Sequence, residues 1–429
     1  VKEFKVGIVG FGTVGAGVAA NLLNNQEVIA RRTGIKPVLA GIADLDIVRD
    51  RGVKVPPELL TTDAAALIAK VDVVVELVGG TTFARKLIRS ALEQGKTVVT
   101  ANKALLAEYG EELFAVAEKS GADIHYEASV AGGIPIIKAL REGLVANRIN
   151  RIYGIMNGTC NYILTRMERE GADFEPILKD AQKLGYAEAN PSLDIDGFDT
   201  AHKTAILASL AYGEWFGLKP IHIEGISQVE QSDIQFASEL GYRIKLLAVI
   251  KQENGAVQVR VHPTLVPKNS MIGSIMDVFN GVMVDGDFVG QTLFYGRGAG
   301  RSATASAVAA DIVDACLDLN CGSVRRVPAF RRGPQFTKLT PIEEIESRYY
   351  LRLEVLDRPG VVGRIASVIG AHDISIASFM QHESRTNGKV PVVILTHLAC
   401  EGKVRQALAE ISQLDVVTGP VKFFRIEDI

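Results

Sequence analysis

Gly10-Phe11-Gly12-Thr13-Val14-Gly15 sets three glycines in G-x-G-x-x-G spacing. An apolar run, KVGIV, precedes the turn, and a helical pattern, GVAANLLNN, comes after it. This order constrains the start of the chain more than any other feature does. Gly10 permits the tight turn, and Gly12 lets the backbone approach a pyrophosphate. Gly15 lets the helix pack close to the strand, and the helix N-terminus faces the phosphates. The spacing alone also fits a simple tight turn. The strand before it and the helix after it favour dinucleotide binding. Phe11, Thr13 and Val14 complete the turn and join the candidate cofactor set.

The next strand, residues 37–43, ends at Asp44. A carboxylate there bonds ribose hydroxyls and favours NAD over NADP. It lies further from the glycines than the usual ~20 residues, because the stretch NNQEVIARRTG intervenes. Arg49 and Arg51, just beyond, are the groups that would accept a 2′-phosphate. Residues 71–78, VDVVVELV, form a nearly continuous apolar strand of the buried parallel kind. A helix over 81–94 and a strand over 97–100 come next, and then Ala101-Asn102-Lys103. Ligands sit beyond the carboxyl ends of strands in open α/β sheets, so Lys103 is a candidate site residue. The alternative is a surface-loop lysine. Residues 127–135, EASVAGGIP, form a tight small-residue loop that either turns the chain or holds a cation on its carbonyls.

From about residue 147 the regular alternation of helix and strand gives way. Strand-like runs at 246–250, 257–261, 282–285 and 287–295 read as a largely antiparallel sheet with helices. Gly296-Arg297-Gly298-Ala299-Gly300 opens a long helix, 300–320, expected to return to the first domain. Residues 321–347 have linker composition, and their arginines read as a solvated basic run. The tail, 348–429, reads β-α-β-β-α-β with a hairpin turn at Thr386-Asn387-Gly388-Lys389, the ferredoxin-like order. The 429 residues exceed what one core supports. The expected division is 1–135, 136–320, a linker over 321–347, and 348–429.

A net charge of −3 gives no electrostatic support for nucleic-acid or membrane-surface binding. No apolar run reaches the ~18 residues of a membrane span. No signal-peptide pattern opens the sequence, and the four scattered cysteines suggest no disulfide framework. A cytoplasmic location is therefore expected.

The stretch at 181–203, AQKLGYAEANPSLDIDGFDTAHK, gathers carboxylates ahead of an apolar helix. Asp199 and Lys203 stand four apart, so both can face one side. One reading is an ordinary exposed ion pair. The other is a cleft lysine tuned for acid–base work by burial and by its carboxylate neighbours. A calcium loop starting at Asp194-x-Asp196 fails, because Asp199 and Ala205 stand where that loop needs glycine and glutamate. Cys160 as an aldehyde-oxidising thiol competes with a small apolar filler role.

The spacing Ala181-x3-Gly185-Tyr186-Ala187-x2-Asn190-Pro191-x2-Asp194-Ile195-x-Gly197-x-Asp199-x3-Lys203 resembles the signature of the homoserine dehydrogenase family. GFGTVG, TANK, EASVAGGIP, NGTCNYIL and GRGAG extend the resemblance, and the tail is similar to an ACT domain, as in the long bacterial form. The resemblance implies an α/β architecture with three parts: a Rossmann-type dinucleotide-binding domain, an α+β substrate and dimerisation domain with a mainly antiparallel sheet, and a C-terminal ferredoxin-like ACT domain. It implies reversible NAD- or NADP-dependent oxidation of L-homoserine to L-aspartate 4-semialdehyde, on the route to threonine, methionine and isoleucine. Lys203 would be the acid–base group and Lys103 the second lysine at the reacting oxygen. Glu188, Asp194 and Asp199 would serve the substrate, and Gly185 and Gly300 would line the cofactor. A sodium ion would sit on main-chain oxygens near Glu127, Val130, Gly132 and Ile134. The ACT domain would bind an amino-acid effector, threonine, in a dimer or tetramer. Two departures stand out. NADP-using relatives often carry an arginine just after the second strand, where this chain has Ala43-Asp44-Leu45-Asp46. Relatives also commonly have threonine at the position of Cys160.

Overall fold

The computed structural model describes residues 1–253, 255–323, 326–328, 339–382 and 388–429. In chain order it begins with β1 (Lys2–Val9), α1 (Thr13–Thr33), β2 (Ile35–Ala43), β3 (Leu60–Thr61), α2 (Ala64–Ala69), β4 (Val73–Glu76), α3 (Thr82–Glu93), β5 (Thr97–Thr100), α4 (Lys103–Ser120) and β6 (Ile124–His125). Next come α5 (Ile136–Lys138), β7 (Ile149–Ile155), α6 (Gly158–Glu170), α7 (Phe174–Lys183), α8 (Ser192–Ile195), α9 (Phe198–Tyr212), β8 (His222–Ile223) and α10 (Gln231–Glu239). Then come β9 (Tyr242–Glu253), β10 (Ala256–Pro267), β11 (Phe279–Gly286), β12 (Gly290–Arg297) and α11 (Arg301–Cys321). The tail holds β13 (Glu346–Leu356), α12 (Val361–Ala371), β14 (Ile376–Gln381), β15 (Lys389–Thr396), β16 (Ala399–Cys400), α13 (Glu401–Ile411) and β17 (Lys422–Ile426). Two compact units share the chain. The first comprises 1–151, 200–219 and 279–335, and the second 152–199, 220–278 and 336–429.

In the first unit a six-stranded sheet runs β3-β2-β1-β4-β5-β6. Every neighbouring pair is parallel. The order reverses between β1 and β4, which makes their carboxyl ends the topological switch point of a Rossmann sheet. Val6, Ile8, Val73, Val75 and Val99 of the strands form one core with Ala16, Val18, Ala19 and Leu22 of α1 and Val308, Ile312 and Ala315 of α11. Helix α11 approaches α1 closely: a Cβ on Gly17 would lie 2.9 Å from that of Ala305. β11 and β12 form an antiparallel hairpin in this unit.

In the second unit β9 and β10 pair antiparallel along their whole length. β10 also pairs parallel with β17. From there the sheet continues β17-β13-β15-β14, every step antiparallel. With α12 and α13 supplying Ile365, Ile369, Val404 and Ile411 to its core, this tail is the ferredoxin-like arrangement.

Some elements differ from the sequence reading. The last strand, β17, starts only at Lys422, because Pro420 has no N–H to give the ladder; Val417 makes only an isolated bridge to Val355. Helix α4 starts at Lys103, so that residue stands in a helical first turn and not in a loop. The Asn102 side chain accepts the Leu105 amide and caps it. Of the arginines read as a solvated run, the described one, Arg326, is paired: its Nε lies 2.6 Å from Asp318. The rest of that run, and Thr386 and Asn387 of the expected hairpin turn, lie outside the described residues.

Candidate active site

The glycine turn joins β1 to α1. Gly10 has φ +104°, and a Cβ there would meet the Leu77 carbonyl oxygen at 2.5 Å. A Cβ on Gly15 would lie 2.0 Å from the Gly10 carbonyl oxygen. Both glycines are therefore required by the fold. Gly12 is different: it caps α1, is exposed, and has nothing within 4 Å of where its Cβ would be. That open space at a helix N-terminus fits a pyrophosphate. At the end of β2, Asp44 accepts the Phe11 amide at 2.5 Å and the Asp46 amide at 2.9 Å. Arg51 lies 4.0 Å from Asp44 and 3.6 Å from Asp46.

Beside the switch point, Glu76 is wholly buried at the end of β4. It accepts the Thr100 hydroxyl at 2.7 Å and the amides of Val78 and Gly79. Burial raises its pKa against the pull of those hydrogen bonds. Asn102 donates to the Gly80 carbonyl at 2.7 Å, which ties the loops after β4 and β5 together just before Lys103. Lys103 itself is half-buried. The sequence reading missed Glu76, since an acid closing an apolar strand carries no spacing signal.

The EASVAGGIP and GRGAG motifs meet in the first unit. Ala131 and Gly132 are both left-handed, at φ +53°. A Cβ on Gly132 would lie 2.3 Å from the Gly298 carbonyl oxygen, and the Gly133 amide donates to the Arg297 carbonyl. Gly300, at φ +115°, caps α11. The Glu127 carboxylate accepts the amides of Ile137 and Lys138, both at 2.8 Å, and so caps α5. Burial raises its pKa to about 6. The Ile134 carbonyl accepts from the Ile136 amide.

In the second unit α7 gives way to left-handed Gly185, and Glu188 beyond it is exposed. Asn157 organises the polar groups of this unit's candidate site. Its Oδ1 accepts the Cys160 amide and so caps α6, while its Nδ2 donates to Asp194 at 2.7 Å and to Asp199 at 2.9 Å. Left-handed Gly197 turns α8 into α9. Helix α9 then carries Asp199 and Lys203 one turn apart, both buried. The sequence reading took in Asn157 only as the first residue of the NGTCNYIL motif and gave it no role in the site. Its signal was available, because an asparagine just before a helical run is a preferred N-cap. The Cys160 thiol is buried and donates to the Asp194 carbonyl at 3.1 Å, a packing role rather than a poised nucleophile. Of the candidate residues, the glycine turn, Asp44, Lys103, the 127–134 loop, Lys203 and Gly300 belong to the first unit. Gly185, Glu188, Asp194 and Asp199 belong to the second.

Three family models match the chain: "Homoserine dehydrogenase, NAD binding domain" over residues 10–127, "Homoserine dehydrogenase" over 135–313 and "ACT domain" over 349–416. A homoserine dehydrogenase of Neisseria gonorrhoeae is 44% identical over the whole of both chains. One of Bacillus subtilis is 37% identical, covering 100% of this chain and 99% of its own. A solved homoserine dehydrogenase of Thiobacillus denitrificans superposes with TM-score 0.94 at 44% identity, covering 100% of this chain and 99% of its own. A hyperthermophilic archaeal homoserine dehydrogenase solved with NADPH superposes at TM-score 0.61 and 28% identity, covering 74% of this chain and 98% of its own. The parallel sheet, its glycine turn and these matches define an NAD-binding oxidoreductase with an appended ACT domain. The chain belongs to the homoserine dehydrogenase family.

Proposed function

We propose that this chain reversibly oxidises L-homoserine to L-aspartate 4-semialdehyde, with Lys203 exchanging the proton of the substrate hydroxyl. One observation carries the reading. Asn157 holds Asp194 and Asp199 together, and Asp199 stands one helical turn before a buried lysine. Glu188 and Asp194 bind the substrate, Asp199 orients Lys203, and Lys103 is the second ammonium at the reacting oxygen. When bound, the nicotinamide supplies the hydride acceptor or donor. A positioned acid–base group contributes on the order of 10²–10⁴ in rate. Lys203→Ala lowers turnover by that order while circular dichroism and the melting temperature stay close to those of the parent. Near-normal turnover would sink the assignment.

The cofactor is NAD or NADP. Asp44 favours NAD, because its carboxylate repels a 2′-phosphate; Arg51 beside it is the group that would accept one. A sodium ion fits the 127–134 loop, because the carbonyls of Val130 and Gly132 accept no hydrogen bond among the described residues. Glu127 and Ile134 would add their main-chain oxygens. The ACT domain binds an amino-acid effector, threonine, in a cytoplasmic dimer or tetramer serving threonine, methionine and isoleucine synthesis. The direct test is a homoserine oxidation assay with NAD and NADP side by side, with and without threonine. Reduction of neither cofactor overturns the activity. A rate indifferent to threonine overturns the effector alone.

A further inference from the structure

Strand β6 ends at His125, which is 1% exposed. Among the described residues, neither ring nitrogen has a hydrogen-bond partner. Asp123 of the same segment lies 3.8 Å from its Nε2, and Asp318 of α11 closes the group. One ligand atom from each of the three side chains can be chosen so that all lie within 4.8 Å of one another. A buried polar group left without a partner is costly and calls for a reason.

Among the described residues, six carboxylates gather here: Asp123, Glu127 and Glu142 on one side, Asp311, Asp314 and Asp318 of α11 on the other. Three cations of the described residues face them, and each has a carboxylate. Lys138 lies 2.5 Å from Asp314, Arg141 3.4 Å from Glu142, and Arg326 2.6 Å from Asp318. Burial, with the two arginines and Lys138, keeps the imidazole neutral, so it can offer a lone pair. Of the three cations, Arg326 has a side chain that is 42% exposed and can swing into water.

We propose that Asp123, His125 and Asp318 bind one divalent transition-metal ion, which staples β6 to the C-terminal part of α11. One imidazole nitrogen and two carboxylate oxygens make a donor set suited to Zn²⁺ or Mn²⁺. Bonds of ~2.0 Å put tetrahedral ligand atoms ~3.3 Å apart, so the site closes by a small side-chain rotation as Arg326 releases Asp318. The donors are side chains, unlike the main-chain oxygens of the 127–134 loop, and the ion stands apart from the proton transfer at Lys203.

The test uses the full chain, stripped with a chelator and titrated with Co²⁺ and then Zn²⁺. The expected result is one equivalent of Co²⁺ with ligand-field absorption, displaced by Zn²⁺, and a higher melting temperature with either ion. His125→Phe keeps the ring's bulk and abolishes uptake. Arg326→Gln removes the competing guanidinium at an exposed position and tightens Zn²⁺ binding several-fold, which keeps the test decisive if His125→Phe does not fold. No stoichiometric uptake overturns the proposal. So does uptake unchanged in His125→Phe, or a Zn²⁺ affinity unaltered by Arg326→Gln.

Discussion

Two clusters of buried charge in this chain are balanced differently. In the second unit Arg425 is wholly buried where β17 meets β10. Its guanidinium reaches Glu401 at 2.5 and 2.6 Å and Glu224 at 2.8 and 3.0 Å. Nearby, Glu427 takes Arg260 at 2.5 Å, Lys251 at 2.6 Å and the Tyr153 hydroxyl at 3.0 Å. Burial pushes Glu401 and Glu427 up, and their cationic partners more than reverse it. Among the described residues, the cluster at β6 and α11 of the first unit has twice as many carboxylates as cations and an imidazole with no hydrogen bond. A matched cluster fixes geometry, here the register that pairs Thr264 with Arg425 and Leu265 with Ile426. An unmatched one makes room for a further charge. Burial is common to both, so the charge balance decides between the two roles.

The largest expected effect comes from breaking the matched cluster. Arg425→Ala removes the buried cation of Glu224 and Glu401 and leaves them only the part-exposed Arg405, at 3.3 and 2.7 Å; losing one partner of a buried pair costs about 3–5 kcal/mol. Urea titration of the parent and the variant measures it. A loss below about 1 kcal/mol would mean that water reaches the site and that the contrast between the clusters is false. A smaller effect sharpens the comparison. Lys245 is buried and donates to Asn161 at 2.8 Å and to the Ile275 carbonyl at 2.5 Å, both neutral acceptors. Burial lowers its pKa to about 7. Above that pH the folded chain releases a proton that the unfolded chain keeps until ~10.4, so stability rises between about pH 7 and 10. Lys245→Met removes that rise. Urea midpoints at about pH 7 and pH 9.5 read it directly, and an equal rise in the variant would assign it elsewhere.

The sequence carried local features well and distant ones poorly. Gly10, Gly12 and Gly15 marked the turn because each glycine answers a separate steric demand within six residues. The alternating tail announced its own topology, since period and turn chemistry are local properties. Asp199 and Lys203 stood at helical spacing, so their shared face was readable before any fold was known. Asn157 was not, because its value lies in reaching two carboxylates that arrive on a later loop. Arg425 and Glu224 are further still from legibility: they lie 201 positions apart and meet only through the pairing of β10 with β17. The first turn of α4 went unread for a smaller reason. Ala101-Asn102-Lys103 was placed only beyond a strand end, when the Asn102 side chain was the cap.

The approach of Gly132 to Gly298 makes two remote loops into one fitted joint. A methyl group on Gly132 would overlap the Gly298 carbonyl, and one on Gly298 would overlap the Asn280 side-chain amide at 2.0 Å. The Gly132 half therefore tolerates no bulk, because it would meet backbone, whereas bulk on Gly298 would have to turn the Asn280 side chain aside. The start of α11 and the carbonyls of Val130 and Gly132 thus move together or not at all. A loop insertion anywhere in GRGAG would be felt first at those carbonyls, before it disturbed the helix it opens.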